Sequence, residues 1–243
     1  MNRIPQSNLI KSIKRELNSF ASKEKALFLP KFFKTGKGEY AEGDKFIGVT
    51  VPNQRLVAKK YYSKITLNEI EELLESPIHE HRLTALIMLV YKFEKTNVQS
   101  ERDEIFDLYL SKTDKINNWD LVDLSAPKIL GAYLFEREKN LLYDFAKSDH
   151  LWKQRISIVS TYYFIKRYHF EETLKISEIL LNHKHDLIQK AVGWMLREIG
   201  NINLEVEINF LNKHYKQMPR TMLRYAIEKF DEDLRQKYLK GKI

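Results

Sequence analysis

The chain has 243 residues, 41 Lys and Arg against 33 Asp and Glu for a formal charge of +8, and a hydrophobic content of 43%. That is enough apolar material for a core, which excludes a disordered chain. The absence of Cys excludes disulfides, Cys-ligated zinc, iron–sulfur clusters and a thiol nucleophile. Eight Gly and six Pro fall well below the average of roughly 7% and 5%, too few for a turn-dense all-β sandwich or barrel. The longest apolar stretch, residues 83–91 around Thr84, is far short of the ~18 residues of a membrane span. Charges run through the opening MNRIPQSNLIKSIKREL, so no signal peptide is visible. A mostly helical, soluble, intracellular protein is expected.

Helical periodicity dominates in chain order. Leu9, Ile10, Ile13, Leu17 and Phe20 form one apolar stripe near the N-terminus. Thr66 with Glu69 reads as a capping box opening a helix that buries Ile70, Leu73 and Leu74. Ser76 followed by Pro77 reads as an N-cap with Pro in the first turn, starting a helix to about Lys95. Ser100 with Asp103 starts another, with Ile105, Phe106, Leu108 and Tyr109 as inward candidates. Asn118 is placed to cap a helix beginning at Trp119, and Pro127 is expected to break or kink it. Further helices are expected over 140–148, 151–167, 171–182, 187–199, 204–216 and 219–238, with Gly200 as a stop.

Four of the eight Gly lie in KTGKGEYAEGDKFIGVTVP, read as a loop or hairpin at about 35–52 ending in a short strand over 46–51. It is no phosphate-binding loop. Asp44 precedes Lys45, Phe46 stands where Ser or Thr is required, and Glu39 and Glu42 would repel phosphates. His79 and His81 are two apart and offer no His-Glu-x-x-His spacing, so no metal site is expected. Charge is uneven: residues 1–64 hold 14 basic and 5 acidic residues, and residues 66–149 hold 10 and 17. The basic ends suit a polyanion; ordinary solvated helix faces are the alternative.

The helices recur at 36–40 residues, the length of a two-helix HEAT-type unit. Arg82, Trp119, Arg155 and Trp194 lie 37, 36 and 39 residues apart, and residues one repeat apart in such a stack line one face. The expected fold is therefore all-α, a solenoid of stacked antiparallel helix pairs with a concave basic groove. Trp119 and Asp123 are four apart, hence neighbours on a helix face. Core anchoring of each Trp, a solvated Asp123 and a surface ion pair for Arg155 are the plain alternatives.

Six segments, in order over nearly the whole chain, resemble the bacterial HEAT-like-repeat DNA alkylation repair proteins, the AlkD-type alkylpurine DNA glycosylases. They are FFKTGKGEYAEGDKFIGVTVP, SPIHEHR, NWDLVD, LWKQR, QKAVGWMLRE and MPRTMLRYAIEKF. The resemblance implies a single HEAT-like repeat domain over 1–243. It implies Asp123 as the catalytic carboxylate, Trp119 and Trp194 as aromatic walls, and Arg155 as the partner gripping the lesion-strand backbone. Some members carry a Tyr near Phe32 and Phe33, a hydroxyl absent here. Arg55, Lys190 and Arg197 are candidates for a DNA-binding rim.

The chemistry is coherent on its own terms. A purine alkylated at N7 or N3 is cationic and leaves as a neutral base, so no general acid is required. A carboxylate facing the oxocarbenium-like C1′ stabilises its charge and positions water. Indole faces favour a cationic base. The expected activity is hydrolysis of the N-glycosidic bond of alkylated purines in double-stranded DNA, by a monomer needing no cofactor, in the cytoplasm on the nucleoid. A non-catalytic DNA-structure binder and a protein-binding HEAT scaffold are the alternatives.

Overall fold

A computed structural model describes residues 6–243, with side chains from Leu9 onward. The regular structure of the described residues is helical, so the all-α expectation holds. Contacts divide the chain into two compact units, one through Ile129 and one from Leu130.

The first unit contains α1 (Gln6–Ser19), α2 (Lys23–Phe32), α3 (Val51–Tyr61), α4 (Leu67–Leu74), α5 (His79–Lys95), α6 (Gln99–Ser111) and α7 (Trp119–Ser125). Leu9, Ile10, Ile13 and Leu17 bury the α1 stripe, whereas Phe20 lies past the last turn and stays exposed. The capping box of α4 forms as expected: Glu69 N–H donates to Thr66 Oγ1 at 3.3 Å, and Thr66 N–H to Glu69 Oε2 at 2.8 Å. The apolar run 83–90 is buried on every side of α5, the mark of a core helix, and α3, α4, α6 and α7 all pack on it.

Three sequence-based boundaries differ. First, α5 begins at His79 because a parallel bridge holds the preceding residues extended. Lys45 N–H donates to the Pro77 carbonyl at 3.1 Å and His79 N–H to the Lys45 carbonyl at 2.8 Å. Second, no strand forms over 46–51: Glu80 reaches out of α5 and accepts the N–H groups of Ile47, Gly48 and Val49 at 2.7–3.2 Å. One carboxylate thus holds the donors a partner strand would need. Third, α6 starts at Gln99, not Ser100, where the Thr96 hydroxyl accepts Val98 N–H. Helices α2 and α3 were not expected from the sequence.

The second unit contains α8 (Ala132–Leu134), α9 (Asn140–Lys147), α10 (Leu151–Ser160), α11 (Tyr162–Ile165), α12 (Glu171–Ile179), α13 (Asp186–Gly200), α14 (Leu204–His214), α15 (Arg220–Ala226) and α16 (Glu232–Leu239). Helix α13 is its centre and packs on α10, α11, α12, α14 and α15. The stretch 151–167 is two helices, broken where the Thr161 hydroxyl donates to the Ile158 carbonyl at 2.6 Å. The stretch 219–238 is divided by an extended Phe230 after the turn Ile227–Lys229. Gly200 ends α13 as expected. A Cβ at Gly193 would overlap the Met222 carbonyl and the Tyr225 side chain, so only glycine lets α13 and α15 approach this closely.

Candidate active site

Helix α7 is short, and its start is over-determined. Asn118 is extended, and its side chain accepts Trp119 N–H at 2.8 Å, the expected cap. Asp120 accepts Leu121 N–H at 2.9 Å, placing a carboxylate at the positive end of the helix. Asp123 follows Trp119 by one turn on the same face, and both are half-buried. Behind them Ser125 Oγ donates to the Leu121 carbonyl at 2.6 Å and meets the buried Tyr109 hydroxyl at 3.1 Å. Burial pushes the Tyr109 phenol well up, and the Asp123 charge adds to the effect. Pro127 breaks the α-helical course as expected, with α7 ending at Ser125. It cannot donate to the Asp123 carbonyl one turn back, and the path continues through a wider π-helical turn, Pro127–Gly131.

What fixes Asp120 is a buried ionic group that sequence spacing did not reveal. His79 Nε2 meets Asp120 Oδ2 at 2.8 Å, and Nδ1 meets Asp44 Oδ2 at 3.1 Å. Arg82 donates to Asp44 Oδ1 at 2.7 Å and to Asn117 Oδ1 at 3.1 Å. Burial alone would favour neutral His79, but the charge of Asp120 and hydrogen bonds to Asp120 and Asp44 outweigh it and raise the imidazole to about 9. Burial would likewise raise Asp44, yet the His79 hydrogen bond and the Arg82 charge hold it below the usual carboxylate range. The two carboxylates meet opposite ring nitrogens, so they do not converge as metal ligands would. The group instead ties α5, the glycine-rich loop and the first turn of α7 together. Its signal was α5 itself: a histidine in a helix buried all round needs a partner.

An aromatic stack joins the same parts. Phe33 lies parallel to Trp119 at 5.4 Å and to Phe46 at 5.1 Å, and His79 sits 5.0 Å from Phe33 and 4.8 Å from Phe46. Phe32 meets Trp119 edge-on at 5.9 Å. Trp119 is thus backed by rings, with part of its surface open.

In the second unit Arg155 is buried and donates to the Leu187 carbonyl at 2.5 Å, at the start of α13. Trp194, two turns along α13, is half-buried. Its indole N–H donates to Glu198 at 3.1 Å, Lys166 pairs with Glu198 at 3.1 Å, and the Tyr162 ring lies 5.9 Å from the indole. The third tryptophan, Trp152, is the one in the core. Among the rim candidates, Arg55 is exposed on α3. Lys190 pairs with Asp186 at 2.8 Å, and Arg197 pairs with Glu228. Arg82, Trp119, Arg155 and Trp194 fall at the fourth, first, fifth and ninth residues of their helices, and Arg82 belongs to the buried ion group rather than to an open face.

The described residues contain no helix long and apolar enough to cross a membrane. No curated protein matches the chain. A solved structure of a predicted DNA alkylation repair enzyme from Enterococcus faecalis has the same fold at a TM-score of 0.70, with 16% identity over 87% of this chain and 97% of that one. The family model described as DNA alkylation repair enzyme matches residues 13–230, from the α1 core stripe to the end of the α15 segment, and so takes in α7, α10 and α13 whole. The residues singled out on those helices therefore lie inside the matched region, and the chain belongs to the DNA alkylation repair enzyme family.

Proposed function

We propose that the chain is a DNA glycosylase that hydrolyses the N-glycosidic bond of cationic N3- or N7-alkylated purines in duplex DNA. The observation that carries this reading is Asp123, one turn from the half-exposed Trp119 on a helix pinned at its start by the buried His79–Asp120 pair. A carboxylate facing phosphates costs binding energy unless it performs chemistry. Opposite C1′ it performs the step that limits the reaction: as the neutral base departs, the fixed negative charge stabilises the oxocarbenium-like sugar and orients the water that adds to it. Trp119 offers an indole face to the cationic base.

In this reading, which the family resemblance suggests, Trp194 serves as another aromatic wall and Arg155 as a cation toward the lesion strand. The protein works as a monomer in the cytoplasm, on the nucleoid. The test is single-turnover base release from methylated duplex by wild type and Asp123→Asn. The amide keeps size and shape but loses the charge, so 7-methylguanine release is expected to fall roughly 10²–10³-fold. Binding to damaged duplex is expected to persist or tighten as a repulsion disappears. Uracil, a neutral lesion, is expected to be a poor substrate. Unchanged release by Asp123→Asn removes the carboxylate assignment. No release by wild type leaves a DNA-structure binder.

A further inference from the structure

We propose that the outward face of α2, built on Leu27 and Phe28, docks on duplex DNA beside the Trp119 wall as an apolar wedge between lysines. The proposal rests on the DNA reading above and adds a surface to it. A globular helix ordinarily turns its apolar stripe inward. Helix α2 has no buried residue, and Leu27, Phe28 and Phe32 are 77%, 62% and 54% exposed. It is held by its ends instead. Ser22 caps the first turn and donates its N–H to the Ile47 carbonyl at 3.1 Å. Gly48, at φ +81, leaves room for the Ser22 carbonyl where any Cβ would clash. Phe33 anchors the other end in the aromatic stack. The apolar side is therefore held in place and left uncovered by the described residues.

Two observations say what covers it. Phe28 and Phe32 are one turn apart with rings 6.3 Å from each other, and Phe32 meets Trp119, so an aromatic line runs from Phe28 to the candidate site. Around that line Lys23, Lys25, Lys31, Lys34 and Lys37 are all exposed against one acid of the helix, Glu24. The nearby loop acids Glu39 and Glu42 are turned to the Gly36 and Gly38 N–H groups at 2.7 and 2.8 Å. Lys25 and Lys31 stand three residues either side of Phe28, hence on its face. An apolar ridge between cations fits a ligand with flat apolar groups between rows of anions. Duplex DNA is such a ligand, and Phe and Leu wedges entering between base steps are a known way to unstack it. An anionic bilayer has both chemistries too, but the line leads to Trp119 in a chain of a DNA repair family, which favours DNA.

The test uses Leu27→Ser with Phe28→Ser in one variant and Lys25→Ala with Lys31→Ala in another. All four side chains are exposed, and unchanged melting temperatures confirm the fold. Each protein is titrated with undamaged duplex carrying 2-aminopurine, over a range of salt concentrations. The apolar variant is expected to bind about 5- to 100-fold more weakly at every salt. Its log–log salt slope should match wild type, because no counterion release is lost, and the 2-aminopurine rise seen with wild type should vanish. The lysine variant is expected to flatten the slope by about 0.9 per lysine. Unchanged affinity and unchanged 2-aminopurine signal in the apolar variant overturn the proposal. So does an effect confined to phosphatidylserine vesicles or to self-association in sedimentation. Because the readout is binding of undamaged duplex, weaker binding by the variant when wild type releases no base keeps this surface and removes the glycosylase. Base release with an unaffected variant does the reverse.

Discussion

His79 and Glu207 are both buried, and they titrate to about 9 for opposite reasons. His79 has a carboxylate on each ring nitrogen, so the folded state holds a proton that the unfolded chain releases near 6.5. Its contribution to stability is complete below pH 6.5 and is lost as pH rises through about 9. His79→Gln leaves Asp44 and Asp120 short of a cation, a change of about 3–5 kcal/mol for a broken buried pair. The gap in melting temperature between wild type and His79→Gln should be widest at pH 6 and narrow by pH 9.5; a pH-independent gap contradicts the charged imidazole. Glu207 has a buried Oε1 without a hydrogen-bond partner among the described residues. Burial pushes its carboxyl up from 4.5 to about 9, and the Arg197 charge offsets only part of that. The raised value again means stability lost with rising pH, here from 4.5 upward, because the unfolded carboxyl ionises freely while the folded one cannot. Glu207→Gln should therefore melt higher than wild type at pH 8, by several degrees, and lose that advantage near pH 4.5. Equal melting at pH 8 would show that the folded carboxyl is ionised there.

Among the elements, α13 shows how a local preference is overruled by packing. Alanine is about 1 kcal/mol better than glycine inside a helix, yet Gly193 lies mid-helix where a Cβ would strike the Met222 carbonyl and the Tyr225 side chain. Overpacking costs about 1–3 kcal/mol, and backbone cannot swing aside, so Gly193→Ala is expected to destabilise by about 2 kcal/mol in urea unfolding despite the better propensity. The elements legible in the sequence were those specified by neighbours along the chain: the Thr66–Glu69 box, the Asn118 cap, the α1 stripe and the end of α13 at Gly200. What escaped was specified across the chain. Glu80 removes the donors of the expected strand from more than thirty residues away. Helix α2 hid because its apolar residues face outward around Pro30, so it shows no stripe. At the candidate site, Trp119 and Asp123 were readable as an i, i+4 pair, whereas the His79–Asp120–Asp44–Arg82 group needs three segments brought together and leaves no periodic trace.

Over the whole molecule, a charge of +8 understates how much positive charge is open to a partner. Part of the acidic stretch 66–149 is matched from within: Lys112 bridges Glu71 and Glu75 at 2.7 and 2.9 Å, Lys115 pairs with Glu75 at 2.8 Å and Lys128 with Glu94 at 3.1 Å. Asp120 is held by His79 at 2.8 Å. The lysines of 23–37 have no such matching among the described residues. Phosphates should therefore meet the N-terminal lysines first, and affinity for undamaged duplex should fall steeply with salt. Each neutralised phosphate adds about −0.9 to the log–log slope, so five such contacts predict a slope of about −4 to −5. Arg155→Ala is a separate case. As a phosphate contact it should weaken binding to every sequence alike, but this guanidinium is buried and bonded to the Leu187 carbonyl, so its loss should lower the melting temperature as well. Measuring both quantities separates the roles: weaker binding at unchanged melting temperature marks a strand contact, and a lower melting temperature with unchanged slope marks a strut for α13. A slope near zero for wild type would mean that the open lysines meet no polyanion, and would turn the reading toward a scaffold that binds protein.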